Sequence, residues 1–334
     1  MRFFKAADFA KAAIDTELAR LDRLLSDQEE VVREAFADFV RTAKDDRLVR
    51  MAADFLERGD IEAALRLLDS HITRLATVFP TVFQNIASAE LTHIAAQLAP
   101  LVPTVGVSFD PTDAPAAMRM REQTLEFIRE FTDGQRLSTR QALANSLEVG
   151  DGTQGQARAF RDSIGLTARQ EAAVRNYRRL LKEGRAEALT RALRDRRYDR
   201  SVQRAVDGEK PLTDEQVETM VARYRARYLS YRSEMIARTE TMPTMQQARE
   251  EAYRQNLAQA GIPEAAVDQT WNTTLDGRER PTHHSLNGQT VPLGQAFQSP
   301  SGAALRYPGD PRAPAAETIQ CRCQRTFKIN TSRV

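Results

Sequence analysis

Trp271-Asn-Thr-Thr-Leu-Asp276-Gly-Arg278-Glu-Arg280-Pro-Thr-His283-His284-Ser-Leu-Asn287-Gly288 is answered further on by Tyr307-Pro-Gly-Asp310-Pro and then by Cys321-Arg322-Cys323. These stretches hold two of the four histidines, both cysteines and the only tryptophan of a 334-residue chain. Side chains that are scarce elsewhere collect where chemistry, rather than helix packing, has to fix the structure. Beyond Gly261 the helical period stops and glycine and proline cut the chain into short pieces, with 290–293 and 324–329 reading as strands. A loop-rich unit of about seventy residues buries little apolar surface, so a long helix, a metal or both must hold it.

Upstream the pattern is helical. The expected fold is mainly α: an N-terminal helical bundle over 1–98, a linker or short extended crossing over 99–117, and a helical middle region over 118–260 with a long helix at about 214–257. A small α+β unit with short antiparallel strands follows over 261–334. Ser26-x-x-Glu29, Ser138-x-x-Gln141, Thr167-x-x-Gln170 and Thr213-x-x-Gln216 read as capping boxes, and Gly59-Asp60 as a stop followed by an N-cap. Pro80 opens a helix, whereas Pro243 is expected to kink or break the long one. Gly165, between two helical patterns in 157–182, suits a helical hairpin better than a DNA-reading helix-turn-helix built on Gln170 and Arg175, because nothing marks base-reading residues.

Composition narrows the class. The chain is 41% hydrophobic and 28% charged, and no run approaches the roughly eighteen apolar residues of a spanning helix, which argues against a membrane protein. Met1-Arg2-Phe3-Phe4-Lys5 starts basic but leads into no apolar region, so an untargeted cytosolic product is expected. A net charge of only +2 gives no global field toward nucleic acid. The arginines from Arg175 to Arg232 are interleaved with acids, which usually means a solvated, ion-paired surface. Even so, Arg204, Arg223, Arg225 and Arg227 among Tyr198, Tyr224, Tyr228 and Tyr231 outline a strip suited to sequence-independent contact with nucleic acid. His71 and His93 have no catalytic spacing and read as structural.

At the C-terminal cluster three chemistries compete. His283, Cys321 and Cys323 have the composition of a zinc site, with the fourth ligand from His284, Asp276 or Asp310. One intervening residue strains a disulfide between the two cysteines. Alternatively His283 hydrogen-bonds a carboxylate or carbonyl while the thiols pack as small apolar groups. The third casting is a nuclease, with His283 as general base, Arg278 and Arg280 holding a phosphodiester and Glu240 as a second acid-base group. Arg278 and Arg280 are as ready to form arginine–carboxylate pairs that lock the loops, and that non-enzymatic reading is preferred.

Arg238-Thr239-Glu240 in a long helix, Trp271, the run Asp276-x-Arg278-x-Arg280-Pro-x-His283-x-x-Leu286-x-Gly288, then Tyr307-Pro-Gly-Asp310-Pro and Cys321-Arg322-Cys323, in this order, resemble the Mu F-like minor head (head morphogenesis) proteins of tailed bacteriophages. The signature covers about 230–325, with fainter similarity in helix order back to about residue 105. The resemblance implies a structural role for these signature residues and no established catalytic activity. It implies a minor capsid protein that associates with the portal protein, and with scaffold or major capsid protein, in the host bacterial cytoplasm. It also implies residence in the virion, at the portal vertex or in the head interior with packaged DNA. Some relatives carry a fused toxin or nuclease domain; none is expected here, since Val334 lies eleven residues past Cys323. The doubled histidine at His284 and the proline at Pro243 depart from the family pattern.

Overall fold

Long helices dominate a computed structural model that describes the backbone of residues 4–275 and 277–334 and the side chains of 12–275 and 277–334. Asp276 and the start of the chain, on which the reading of an untargeted N-terminus rests, lie outside the described residues. In chain order the helices are α1 (Phe4–Ala43), α2 (Asp46–Glu57), α3 (Ile61–Arg66), α4 (Asp69–Ala76), α5 (Val78–Leu98), α6 (Ala114–Glu148), α7 (Thr153–Ser163), α8 (Ala168–Lys182), α9 (Asp199–Val206) and α10 (Asp214–Ala260). The C-terminal region adds β1 (Val267–Asn272), α11 (Pro281–Leu286), β2 (Thr290–Pro292), β3 (Phe297–Gln298), β4 (Ala304–Leu305), α12 (Ala315–Thr318) and β5 (Gln324–Ile329). The fold is therefore mainly helical with small antiparallel sheets near its end.

Two compact units share the chain: Met1–Glu34, Thr77–Leu125 and Met235–Val334 form the first, Ala35–Ala76 and Glu126–Glu234 the second. The cuts fall inside α1, α6 and α10. Residues 1–98 and 118–260 thus contribute to both units; the division read from the sequence follows chain order, and the packing does not.

In the first unit, β1 is the central strand of a three-stranded antiparallel sheet ordered β2-β1-β5, with Trp271 opposite Arg325 and Gln269 opposite Phe327. The strand alternates: Val267, Gln269 and Trp271 are buried while Asp268, Thr270 and Asn272 are only partly covered. Gln269, a polar residue on the inward face, is satisfied there. Its amide donates to the carbonyls of Pro292 (3.1 Å) and Gln295 (2.6 Å) and accepts from Arg325 (2.7 Å).

Two fully buried arginines join this sheet to the helices. Arg249 of α10 binds Glu90 of α5 at 2.9 Å and donates to the Arg325 carbonyl. Arg325 of β5 binds Glu250 at 2.9 Å and the Gln246 carbonyl at 2.8 Å. Both guanidinium groups lie against the ring of Phe327, at 5.0 and 4.7 Å. Glu90 also receives Arg20 of α1 at 2.9 Å.

Residues 99–113 carry no helix or strand, but they form no free linker. Asn256 of α10 accepts from the Ser108 N–H (3.0 Å) and donates to its carbonyl (2.8 Å); Gln255 makes the same pair of bonds with Asp110 (2.8 and 3.1 Å). The side-chain amides replace a β-ladder for this extended crossing.

Several local expectations need correction. Ser26-Glu29 caps nothing, because α1 runs through it; Glu29 is buried and takes a two-point bond from Arg238 at 2.9 and 3.1 Å. Ser138 likewise sits inside α6, fully buried, in a stretch whose polar neighbours turn to the next helix pair. Gln135 grips the α7–α8 turn there, donating to the Ser163 carbonyl (3.1 Å) and accepting from the Gly165 N–H (2.9 Å). The Thr167-Gln170 and Thr213-Gln216 boxes do form, with reciprocal side-chain to backbone bonds of 3.0 and 3.2 Å in each, and Asp60 caps α3. Pro243 does not break α10, which continues to Ala260. It is buried beside Met242, where Gly309 of the Tyr307–Asp310 turn docks.

The second unit packs α8, α9 and the first part of α10 around Val174, Tyr177, Leu181, Val202, Val217 and Tyr224. Phe36, Phe39, Phe127 and Phe131 form an aromatic cluster with ring centroids 5.3 to 6.3 Å apart. Gly165, at φ +82°, lets α7 turn into α8; a Cβ there would stand 2.8 Å from Leu229 and from Val40.

Replacing Glu90 with Gln should strand the buried Arg249 charge and lower stability by about 3–5 kcal/mol, read from urea unfolding at neutral pH. Burial raises the Glu90 and Glu250 pKa values, but their arginine partners outweigh it, so both lie below the usual 4.5. A depressed acid contributes its stability above the unfolded value and loses it as pH falls through the folded one. The wild-type protein should therefore weaken as pH drops below 4.5, and Glu90→Gln should show a shallower acid limb.

Candidate metal centre

Three elements bring the rare residues together. Pro281 at the first position of α11, preceded by extended Arg280, starts a short helix that turns His283 inward. Cys321 and Cys323 lie on the extended approach to β5, where alternate residues face the same way: both thiols are buried and Arg322 between them is partly exposed. The spacing Cys-x-Cys is thus the one an extended segment needs. Gln320 turns the chain from α12 into this segment at φ +55°, the one left-handed non-glycine among the described residues.

His283, 1% exposed, points Nδ1 at Cys323 Sγ (3.4 Å) and Cys321 Sγ (3.6 Å). Behind the ring, Glu317 of α12 brings Oε2 to 2.9 Å from Nε2, off the axis of an aligned hydrogen bond. Glu317 is itself held by Thr282 (3.1 Å) and Ser299 (3.2 Å) hydroxyls. Thr273 donates to the His283 carbonyl at 2.6 Å, and Trp271 meets the imidazole edge-on at 5.2 Å. Leu286, Phe297 and Leu305 complete the apolar packing around Trp271 and the thiols.

The two thiols are electrostatically unequal. A hydrogen bond from Cys321 pulls Cys323 down to about 5, against burial and with help from His283; the same bond, then burial, pushes Cys321 well up. Burial raises the Glu317 carboxyl, but hydrogen bonds from Ser301 and Thr282 and the nearby His283 bring it below its ordinary value.

This donor set fits a tetrahedral metal. With zinc–nitrogen and zinc–sulfur bonds of about 2.05 and about 2.3 Å, the nitrogen–sulfur edge of a tetrahedron is about 3.5 Å. The two edges measured here are 3.4 and 3.6 Å. Glu317, 2.9 Å from the far nitrogen, stands where an outer-shell carboxylate stands behind a ligating histidine. His283, Cys321 and Cys323 are the group of potential ligands among the described residues; of the other expected donors, Asp276 lies outside those residues, and Asp310 and His284 do not join the group. Asp310 is consumed by Arg306, whose N–H and Nε donate at 3.0 and 2.9 Å, and by the Arg312 N–H at 3.1 Å. The His284 side chain is 65% exposed, with Nδ1 3.5 Å from Glu279.

The residues cast as a nuclease do not line an open cleft. Beside the cluster is a cavity of about 20 Å³ lined by Thr274, Arg278, Glu279, Arg280, His283, Gln320, Arg322 and Cys323. That is room for about one water. Arg280 donates to the Ile319 carbonyl, so it ties α11 to the chain leaving α12. Glu240 of α10 does not line the cavity, and its carbonyl accepts from Gln123. Of the other signature residues, Arg238 pairs with Glu29, the Gly288 N–H donates to the Trp271 carbonyl (2.8 Å), and the Tyr307 hydroxyl accepts from Gln247 (2.9 Å).

The arginine–tyrosine strip resolves into two groups, both in the second unit. Arg225 turns inward to Asp162 at 2.9 Å. Arg223 and Arg227 instead converge with Arg197 on one buried carboxylate, Asp195, at 3.8, 3.5 and 2.6 Å. Arg204 is exposed on α9; Tyr224 is buried, and Tyr231 is open to solvent. His71 borders a separate cavity of about 430 Å³ between α1, α2 and α4.

Sequence reasoning missed Glu317 and Thr273, which carry no motif, and β1, whose Val-x-Gln-x-Trp alternation was visible. Gly309→Ala should lower stability by about 1–3 kcal/mol, because φ is +78° and the added Cβ would stand 2.8 Å from Met242. Thermal unfolding of the variant checks this.

A family model described as phage Mu protein F like protein matches residues 138–326, more than half of the chain. No curated protein and no solved structure is significantly similar to it.

Proposed function

From the premise that the chain belongs to the phage Mu protein F-like family, a structural phage head family, we propose that it is a minor head protein that binds the portal vertex during procapsid assembly. Portal protein is its main partner, with scaffold or major capsid protein alongside, in the bacterial cytoplasm and then in the virion. The observation that carries this reading is the closed C-terminal cluster. His283 is 1% exposed and wedged between two thiols and a carboxylate, and the adjoining cavity has about 20 Å³. A nucleotide does not enter such a space, and a general base must reach the proton it removes. The rare residues therefore serve to cross-link a docking module.

In this reading the cross-link is zinc, held by His283 Nδ1, Cys321 and Cys323. The metal would tie α11 to the approach to β5, in a unit whose strands are two to six residues long. The protein purified without added metal is expected to contain about one zinc per chain by elemental analysis. Cys323→Ser should fall below about one-tenth of an equivalent and unfold at lower temperature. A metal-free wild type with unchanged stability in Cys323→Ser would remove the zinc reading.

The portal reading is tested by co-expression. Tagged portal protein should retain the wild-type chain, and heads made without the chain should be malformed or non-infective. Normal infective heads in its absence would overturn the proposal.

One observation favours an added contact with packaged DNA: Arg197, Arg223 and Arg227 share the single carboxylate of Asp195, which leaves a local positive surplus beside exposed Arg204. Such a group suits phosphate without base reading. Duplex DNA should bind with an affinity that falls steeply with salt, and Arg223→Ala with Arg227→Ala should flatten that slope by about two.

A further inference from the structure

We propose that Glu171 is a proton-operated latch on α8 in the second unit: as a neutral acid it sits at ease in a buried joint, and as a carboxylate it loosens that joint. α8 buries Glu171, Val174, Tyr177, Leu180 and Leu181, so an acidic residue stands in line with core side chains. Glu171 is 5% exposed, and its Oε2 has no hydrogen-bond partner among the described residues. Burial of this kind disfavours the anion and leaves the neutral acid almost untouched. The groups around it do not satisfy it. Arg225 of α10 reaches Asp162 of α7 at 2.9 Å, and its Nε is buried without a partner among the described residues. Two acids therefore compete for one guanidinium, and Asp162 holds the contact. Lys44, just past the end of α1, adds a partly buried ammonium with no ion-pair contact to a described residue. Arg161 of α7 acts on Lys44 from a distance; on α8 itself, Arg175 acts on Glu171 in the same way and Arg178 is paired with Glu218 at 2.7 Å.

The joint responds to pH in two steps. Burial raises the Glu171 carboxyl from its ordinary 4.5 to about 7, against the pull of Arg225 and with Asp162 adding to the rise. Burial, helped by Arg225, lowers the Lys44 amine from 10.5 to about 8. An acid raised by folding contributes stability that is complete below its unfolded value and is lost as pH rises through the folded one. A base lowered by folding costs stability below its folded value and regains it as pH climbs toward the unfolded one. The joint is thus weakest between about 7 and about 8, where both groups are charged, and protonation of Glu171 below that window tightens it.

The test uses the full chain, with carbon-13 at the glutamate carboxyls for NMR and with urea unfolding followed across pH. The resonance lost in Glu171→Gln should be one that titrates near pH 7 in the wild type. Glu171→Asp, which keeps an acid in the joint, should remove the same resonance. Between about pH 5 and about pH 7.5 the Glu171 contribution should lower the folding equilibrium constant roughly fiftyfold, and Glu171→Gln should remove that part of the fall. Lys44→Met should keep the fall and lose the recovery above about pH 8. A Glu171 resonance that titrates at the ordinary carboxyl value, or wild-type and Glu171→Gln curves of one shape over this range, would overturn the latch.

Discussion

A buried arginine needs a carboxylate within reach, and two such needs, met by Glu90 and Glu250, govern the first unit. Arg249 and Arg325 are both fully enclosed; Arg249 of α10 reaches Glu90 of α5 and the Arg325 carbonyl of β5, and Arg325 reaches Glu250 and the Gln246 carbonyl of α10. Uncompensated, either charge would cost several kcal/mol; compensated, the pair contributes little beyond what apolar packing would. Its value lies in specificity. The observed arrangement of helix and sheet brings a carboxylate to each of the two guanidinium groups. Phe327, lying against both, ties that electrostatic demand to the sheet.

The C-terminal sheet then inherits its position and passes it to the cluster. β5 begins immediately after Cys323, and β1 ends two residues before Thr274, which bonds the Arg322 carbonyl at 2.9 Å. The thiols therefore sit on the extended segment that strand pairing takes up at Gln324, and His283 lies on α11 with Glu317 behind it. A site with this support and with 1% exposure at its histidine is built to hold still.

Much of this was legible in the residues. Scarce side chains converging on one stretch pointed to the cluster, and His283, Cys321 and Cys323 do meet. Thr167-Gln170 and Thr213-Gln216 announced real helix starts, since a local hydrogen-bonding pattern is decided by its own few residues. The same pattern failed at Ser26 and Ser138, where tertiary demands prevailed: Glu29 was needed by Arg238, 209 residues away, and Ser138 was needed inside a long helix. Glu317 was invisible because its role exists only once α12 packs behind α11. Pro243 misled for a related reason. A missing backbone donor is harmful in isolation, yet here the ring is covered by the turn at Gly309.

The extended crossing at 99–113 has one more implication. Its bonds to α10 run through Asn256, Gln255 and the backbone of Ser108 and Asp110, so no ion pair contributes to them. Neutral amide pairs are indifferent to ionic strength and to protonation. The strap thus keeps its grip in brine and in acid alike, where the arginine-based fastenings around it slacken, and it sets the minimum order that this face of α10 retains across such changes.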